Sequence, residues 1–163
     1  MKTILVTIAL LALLSAPAFG AGSPSRAPSV DKETQYYNKG VDFMMNKQFS
    51  KAEKQFRKAL DIKERFAEAH NNLADVLRKQ GPEHYEEALT HYNRAIAINP
   101  RLSQPYMYRG VLYVQMGDTE AANKDLATLT GMDPGLAKEL AYMIENGREK
   151  EPEQFFGVSP KKG

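Results

Sequence analysis

The 163-residue chain contains no cysteine. This excludes a disulfide scaffold, thiolate zinc sites, covalently attached c-type haem, a thiol nucleophile and a lipid-modified N-terminal cysteine. An excess of one charge is also lacking: 22 Lys and Arg face 20 Asp and Glu, and a net charge of +2 is too small to indicate a nucleic-acid partner. Hydrophobic residues make up 42% and charged residues 26%, a balance typical of a soluble globular protein.

Sequence motifs that carry chemistry are missing as well. There is no phosphate-binding glycine loop, no G-x-S-x-G elbow and no H-E-x-x-H zinc helix. His84, Glu87 and His91 could share a helix face, but a metal site usually needs tighter spacing and a further ligand, so we interpret them as a polar face. His70 occupies a packing position. We therefore expect no enzyme activity, no metal and no other cofactor.

The one long hydrophobic run lies at the N-terminus. Residues 4–14 are apolar except for one threonine, follow Lys2 and precede small residues that include Ala18 and Gly20. This pattern predicts a secretory signal peptide at 1–20, cleaved after Gly20, or alternatively after Ala18, and a periplasmic location. The alternative is an uncleaved membrane anchor, but the run rises only about 16 Å as a helix, roughly half a bilayer core. Residues 21–32 are expected to form a flexible linker and 148–163 a charged tail.

Comparing the chain with itself reveals a repeat of about 34 residues. Each unit carries aromatic, small and apolar residues at the spacing of two amphipathic helices. The second unit holds two extra residues, which we place at 81–84. The three series are Tyr36, Gly40, Phe43, Ala52, Phe56 and Ala59; His70, Ala74, Leu77, Ala88, Tyr92 and Ala95; and Tyr106, Gly110, Tyr113, Ala122, Leu126 and Leu129.

The spacing predicts helices whose ends are marked by turn residues and prolines. Pro100 and Pro134 follow the second helices of two units, because the residue before a proline avoids the α region. A seventh helix, at 137–147, is expected to cover the apolar side of the last unit. The six earlier predicted helices are 33–46, 49–63, 67–80, 84–98, 103–116 and 119–131.

The pattern resembles the tetratricopeptide repeat family, in which an aromatic residue, Leu-Gly, Tyr, Ala, Phe, Ala and a closing Pro recur. The third unit departs from it at Arg109, which stands where Leu is usual, and the first unit has Glu64 in place of the closing proline. The resemblance implies an all-α fold: a right-handed superhelical array of three helix pairs, at 33–66, 67–102 and 103–136, with a seventh capping helix.

In the resembled family, the first helix of each pair lines a concave groove that holds a peptide or a partner helix. Together with the predicted signal peptide, the resemblance implies a non-catalytic adaptor or scaffold in the bacterial envelope, with a protein or peptide partner and no small-molecule substrate. We expect Tyr37 and Tyr108 to be exposed there, and asparagine amides to pair with a peptide backbone. The expected groove positions are Tyr37, Asn38, Val41, Met44, Met45, Asn71, Asn72, Asp75, Arg78, Lys79, Met107, Tyr108, Val111, Val114 and Gln115.

Two further functions are compared with the adaptor. One branch of the family binds a C-terminal carboxylate with basic residues. Asn72 matches that set, but its other polar and basic positions are occupied by Tyr37, Val41, Gln104 and Tyr108, so we do not expect this activity. The other is a self-assembling structural protein that forms homo-oligomers through its tail or its array ends. Its most suggestive feature is the Phe155–Phe156 pair, which in the simpler interpretation packs beside the seventh helix.

Overall fold

A computed structural model describes residues 31–147 and 161–162 of the chain. Within these residues it contains seven α-helices, one short 3-10 helix at Pro82–His84 and no strand. The predicted signal peptide, most of the linker and most of the tail, including Phe155 and Phe156, lie outside the described residues. The α-helices are α1 (Lys32–Met45), α2 (Phe49–Ile62), α3 (Ala67–Gln80), α4 (Tyr85–Ile98), α5 (Gln104–Gln115), α6 (Thr119–Met132) and α7 (Pro134–Asn146).

The helices pack as consecutive pairs. Helix α1 packs on α2, α3 on α4 and α5 on α6, and the pairs are joined by contacts from α2 to α3 and from α4 to α5. The first helices also touch one another, α1 with α3 and α3 with α5, while α7 packs on both α5 and α6. The predicted all-α array of helix pairs followed by a seventh helix is confirmed. In the part of the chain that the structure describes, no helix combines the length and apolarity needed to cross a bilayer.

Two glycines allow close approach between helices. A Cβ atom on Gly40 would lie 2.6 Å from the ring of Phe56, on the second helix of the same pair. A Cβ atom on Gly110 would instead lie 2.5 Å from the side chain of Leu140, on α7. The two equivalent positions of the repeat therefore serve different contacts, and the second one seats the seventh helix on the array.

The extra residues of the second unit form the 3-10 helix between α3 and α4, where the sequence placed them. Gly81 begins this connection with a φ of 141°, a backbone conformation that residues with a side chain rarely adopt. The insertion thus lengthens the turn without displacing the packing residues Leu77 and Ala88, both of which are fully buried.

Arg109, the departure from the family pattern, joins three helices. Its guanidinium donates to both carboxylate oxygens of Asp125 on α6, at 2.6 and 3.0 Å, and to the side-chain oxygen of Asn93 on α4 at 2.6 Å. The arginine also lies over the rings of Tyr106 and Tyr113, which flank it on α5. A paired cation therefore replaces an apolar contact at this position.

Candidate peptide-binding surface

The groove surface is the side of the array formed by the predicted groove positions of α1, α3 and α5. The structure connects several of these residues across helices. The Asn72 amide donates to the hydroxyl of Tyr37 at 3.1 Å, and the Asn71 amide donates to the Asn72 oxygen at 3.1 Å. Farther along α3, the guanidinium of Arg78 lies 5.7 Å from the ring centroid of Tyr108 on α5. These contacts connect α1 to α3 and α3 to α5.

Most of these side chains are buried. Tyr37 is 0% exposed and Tyr108 is 7% exposed, so the expected exposure of the two tyrosines is wrong. The Tyr37 ring packs 4.8 Å from the Phe66 ring and 5.8 Å from the Phe56 ring, centroid to centroid, which draws it into the core. That Tyr37 and Tyr108 contact a partner stays a prediction. The other buried positions are Val41, Met44, Asn71, Asn72, Asp75, Arg78, Met107 and Val111.

The centre of the groove surface holds a buried ion pair within α3. Arg78 donates to Asp75 at 2.7 Å, and each side chain is only 2% exposed. Opposite charges at this distance in a buried setting must stay paired, because removing either partner leaves an uncompensated charge. Arg78 therefore stays paired with Asp75. The nearby Tyr92 on α4 is fully buried, and its burial, together with the charge of Asp75, raises the pKa of its hydroxyl well above the usual value.

The α1 end of the groove surface carries a polar rim that contacts the C-terminal lysines. The Asn38 amide donates to the carbonyl oxygen of Lys162 at 2.7 Å, and the Lys162 backbone N–H donates to the Asn38 oxygen at 2.8 Å. The Lys162 ammonium lies 2.6 Å from a carboxylate oxygen of Glu68. Lys161 forms an ion pair with Asp42. A single asparagine therefore pairs with both backbone groups of one residue.

The rim adjoins a cavity of about 510 Å³ at the start of α3. Phe66, Glu68, Ile98 and Lys162 are among the residues that line it, so the C-terminal lysine forms one of its walls. Sequence reasoning placed Asn38 on this surface but missed Asp42 and Glu68. No sequence motif indicates that a carboxylate will contact a segment that lies far away along the chain.

A histidine pair holds α3 against α4 near the end of the groove surface. Nδ1 of His70 lies 2.9 Å from Nδ1 of His91, and Nε2 of His70 lies 2.9 Å from the carbonyl oxygen of Glu64. Because Nε2 must donate to that carbonyl, the hydrogen bonds assign His91 as the donor between the rings. Burial lowers the pKa of both histidines, and for His91 burial together with the charge of His70 lowers the pKa to about 4.

The expected polar face of His84, Glu87 and His91 forms only in part. His91 lies 3.8 Å from Glu87, but His84 lies in the 3-10 helix and pairs with Glu83. Among residues 31–147 and 161–162, no group of three or more metal-ligating side chains is placed to hold an ion. The sequence did not predict the His70–His91 contact, because the two histidines lie on different helices.

We expect acid to destabilise the array through these histidines. The unfolded chain protonates His91 near its ordinary pKa of 6.5, whereas the folded chain keeps it neutral down to about 4. This contribution is fully present above pH 6.5 and is lost as the pH falls towards 4, with a loss on the order of 2 kcal/mol at pH 5. The charged groups around the pair are Glu64, Glu87, Arg57 and Arg94.

The measurement is urea unfolding at pH 7.5 and pH 5, followed by circular dichroism. The wild-type midpoint should be lower at pH 5, and the variant His91→Gln should show a smaller difference between the two conditions. Equal midpoints for the wild type at both values would contradict the assignment of the neutral histidine pair.

Comparison with known proteins identifies sequences that are similar to parts of this chain. A family model described as TPR repeat matches residues 83–117. The chain is 36% identical over 69 residues to the UDP-N-acetylglucosamine–peptide N-acetylglucosaminyltransferase of Giardia intestinalis, and 35% identical over 71 residues to the Hsp70-Hsp90 organizing protein of Triticum aestivum. The matches take in 42% and 40% of this chain but only 4% and 12% of those proteins.

Solved structures match a larger share of the chain. The first TPR of Spaghetti (RPAP3) bound to an HSP90 peptide has a TM-score of 0.65 and 20% identity, over 74% of this chain and 98% of that one. The type III secretion chaperone SycD of Yersinia enterocolitica, in complex with a peptide of the translocator YopD, has a TM-score of 0.64 and 15% identity, over 72% and 92%. The fold is therefore that of a helical repeat protein. More narrowly, it is a TPR-like array, as the sequence predicts.

Proposed function

We propose that this chain is a non-catalytic protein-interaction module that binds a peptide segment or helix of a partner on its groove surface. The observation that carries the proposal is the pairing of Asn38 with both backbone groups of Lys162. A side-chain amide that donates and accepts at once recognises main chain whatever the side chains are. The similar folds of SycD and the first TPR of Spaghetti were solved with peptides bound, which supports the same use here.

The fixed geometry of the groove surface further supports peptide binding. The Tyr37–Asn72 hydrogen bond and the Asp75–Arg78 ion pair hold side chains of α1 and α3 in place before any partner arrives. A surface that is ordered in advance loses less conformational entropy when it binds. Met45, half exposed at the end of α1, adds an adaptable apolar contact.

The proposal includes three tetratricopeptide units and a location in the bacterial envelope. The location rests on Lys2, the apolar run at 4–14 and the small residues that end at Gly20. The non-catalytic role is supported by titratable groups that have their partners within the fold. The His70–His91 and Asp75–Arg78 pairs are both satisfied within the fold, the first between α3 and α4 and the second within α3.

Site-specific photo-crosslinking tests the proposal on the exported, full-length mature chain. A photoreactive amino acid is placed at Met45 or Gln115, two exposed positions at opposite ends of the groove surface, and at Lys124 on α6 as the outer-surface control. We expect the same partner to be captured at both groove positions and several times less at Lys124. The protein should be recovered from the periplasmic fraction with Ala21 at its N-terminus.

Three results would count against the proposal. Capture at Lys124 equal to that at the groove positions would remove the groove surface as the binding site. Recovery from the cytosol, or from the membrane with Met1 present, would overturn the location. The self-assembly alternative predicts capture of a second copy of the chain at the groove positions, which the same experiment would reveal by mass.

A further inference from the structure

We propose that Asn38, Asp42 and Glu68 form a basic-segment site, which selects consecutive lysines, and that the chain's own Lys161–Lys162 occupies it in cis. This proposal rests on the proposed function, because it names the class of peptide that the groove surface recognises. It also assigns the groove surface a resident occupant that a partner must displace.

The site recognises main chain and charge separately. Asn38 bonds to the N–H and the carbonyl of Lys162 at 2.8 and 2.7 Å. The two neighbouring ammonium groups go to different helices, that of Lys161 to Asp42 on α1 and that of Lys162 to Glu68 on α3. An acidic segment in the same place would set its carboxylates against those of Asp42 and Glu68. The arrangement therefore fits two basic residues in succession.

The contacting segment can reach this site from its own chain. Thirteen residues lie between Gly147, at the end of α7, and Lys161, which makes 14 steps along the chain. Such a length spans at most about 46–50 Å when extended. The helices α7, α5, α3 and α1 lie side by side in contact. At about 8–10 Å a step, the three steps amount to roughly 24–30 Å. The tether is thus long enough to return to the first helix.

The tether also favours the chain's own lysines over those of another molecule. A covalent connection of this length gives the lysines an effective local concentration of roughly millimolar order. A second copy at micromolar concentration competes poorly against it. The ion pairs themselves remain partly exposed, 52% and 57% for Lys161 and Asp42 and 42% and 21% for Lys162 and Glu68, so each holds weakly and salt screens it. The occupant is therefore displaceable.

Zero-length carbodiimide crosslinking of the full mature chain tests the proposal without a probe. This reagent joins a carboxylate and an amine that are in contact, with loss of water. We expect an amide between Lys162 and Glu68 in the monomer, identified by mass spectrometry. The exposed Lys124–Glu120 pair, at 2.8 Å on α6, serves as the internal reference for the reaction. Mixing isotope-labelled and unlabelled protein separates links within one chain from links between chains.

Matched variants on α1 test the backbone contact. Asn38→Ala removes both hydrogen bonds to Lys162 and should lower the yield of the Lys162–Glu68 link at least about fivefold, the factor that one net hydrogen bond alone is worth. Lys39→Ala, at the next position and exposed, should leave the yield unchanged. An unchanged yield in Asn38→Ala would overturn the role of the asparagine.

Competing peptides test the partner class. A synthetic peptide of residues 157–163, at millimolar concentration, should suppress the link, and the same peptide with glutamate at both lysine positions should not. Equal competition by both peptides would overturn selection for a basic segment. Links of mixed isotope composition would make a second copy the occupant and overturn occupancy in cis. No Lys162–Glu68 link, with the reference link present, would overturn the site itself. Photo-capture at Met45 and Gln115 would still stand, which distinguishes this failure from that of the proposed function.

Discussion

Replacing Tyr37 with alanine is expected to lower the free energy of unfolding by about 3–5 kcal/mol. The ring is fully buried between α1, α2 and the start of α3, where it packs on Phe56 and Phe66. Truncation leaves a cavity at the junction of the first two helix pairs, and it removes the hydroxyl that accepts from Asn72. Urea unfolding followed by circular dichroism measures the change.

The variant Tyr37→Phe separates the hydroxyl from the ring. It keeps the packing and removes only the acceptor for the buried Asn72 amide, so we expect a smaller loss of about 1–3 kcal/mol. Tyr36→Ala, at the neighbouring half-buried position, should cost less than Tyr37→Ala. A wild-type urea midpoint for Tyr37→Ala would instead support the exposed groove position that the sequence suggested.

The helices were predictable because their signals are local. Apolar residues at i, i+4 and i+7 define each buried face, and prolines mark where helices end, so the predicted and observed bounds of the first six helices agree within two residues. The start of α7 differs more. It begins at Pro134, because proline suits the first turn of a helix and Asp133 caps the exposed N–H groups of Gly135 and Leu136 at 3.1 Å.

The candidate site was predictable only in outline. Helical spacing identified which side of α1, α3 and α5 carries Tyr37, Asn72 and Arg78, since it fixes direction around a helix. It does not report what packs there from elsewhere in the chain, and so it misjudged the burial of Tyr37. Glu68 and Asp42 carried no signal at all, because their lysine partners come from the C-terminal segment, 94 residues beyond Glu68 in the case of Lys162.

Gly110→Leu should have the second large effect, because it acts on the contact that seats the seventh helix. Added side-chain atoms would start 2.5 Å from Leu140, closer than real Cβ contacts allow. A leucine is too large for Leu140 to avoid by a change of rotamer, so α7 must move away from α5. Overpacking costs about 1–3 kcal/mol. Movement of α7 also exposes Ala137, Leu140 and Met143, which are 6% exposed or less in the wild type. Together the two effects should lower the free energy of unfolding by at least about 3 kcal/mol.

Thermal melting measures the loss from Gly110→Leu, and hydrogen exchange locates it. Exchange should quicken first in α7, since the atoms nearest to the substituted position belong to Leu140 on this helix. Gly131→Leu is the matched control, because nothing lies within 4 Å of a Cβ atom there, and it should change stability by about 0.5 kcal/mol or less. Leu140→Ala combined with Gly110→Leu makes room for the new side chain and should recover part of the loss. A wild-type melting temperature for Gly110→Leu alone would mean that α7 does not depend on this close approach.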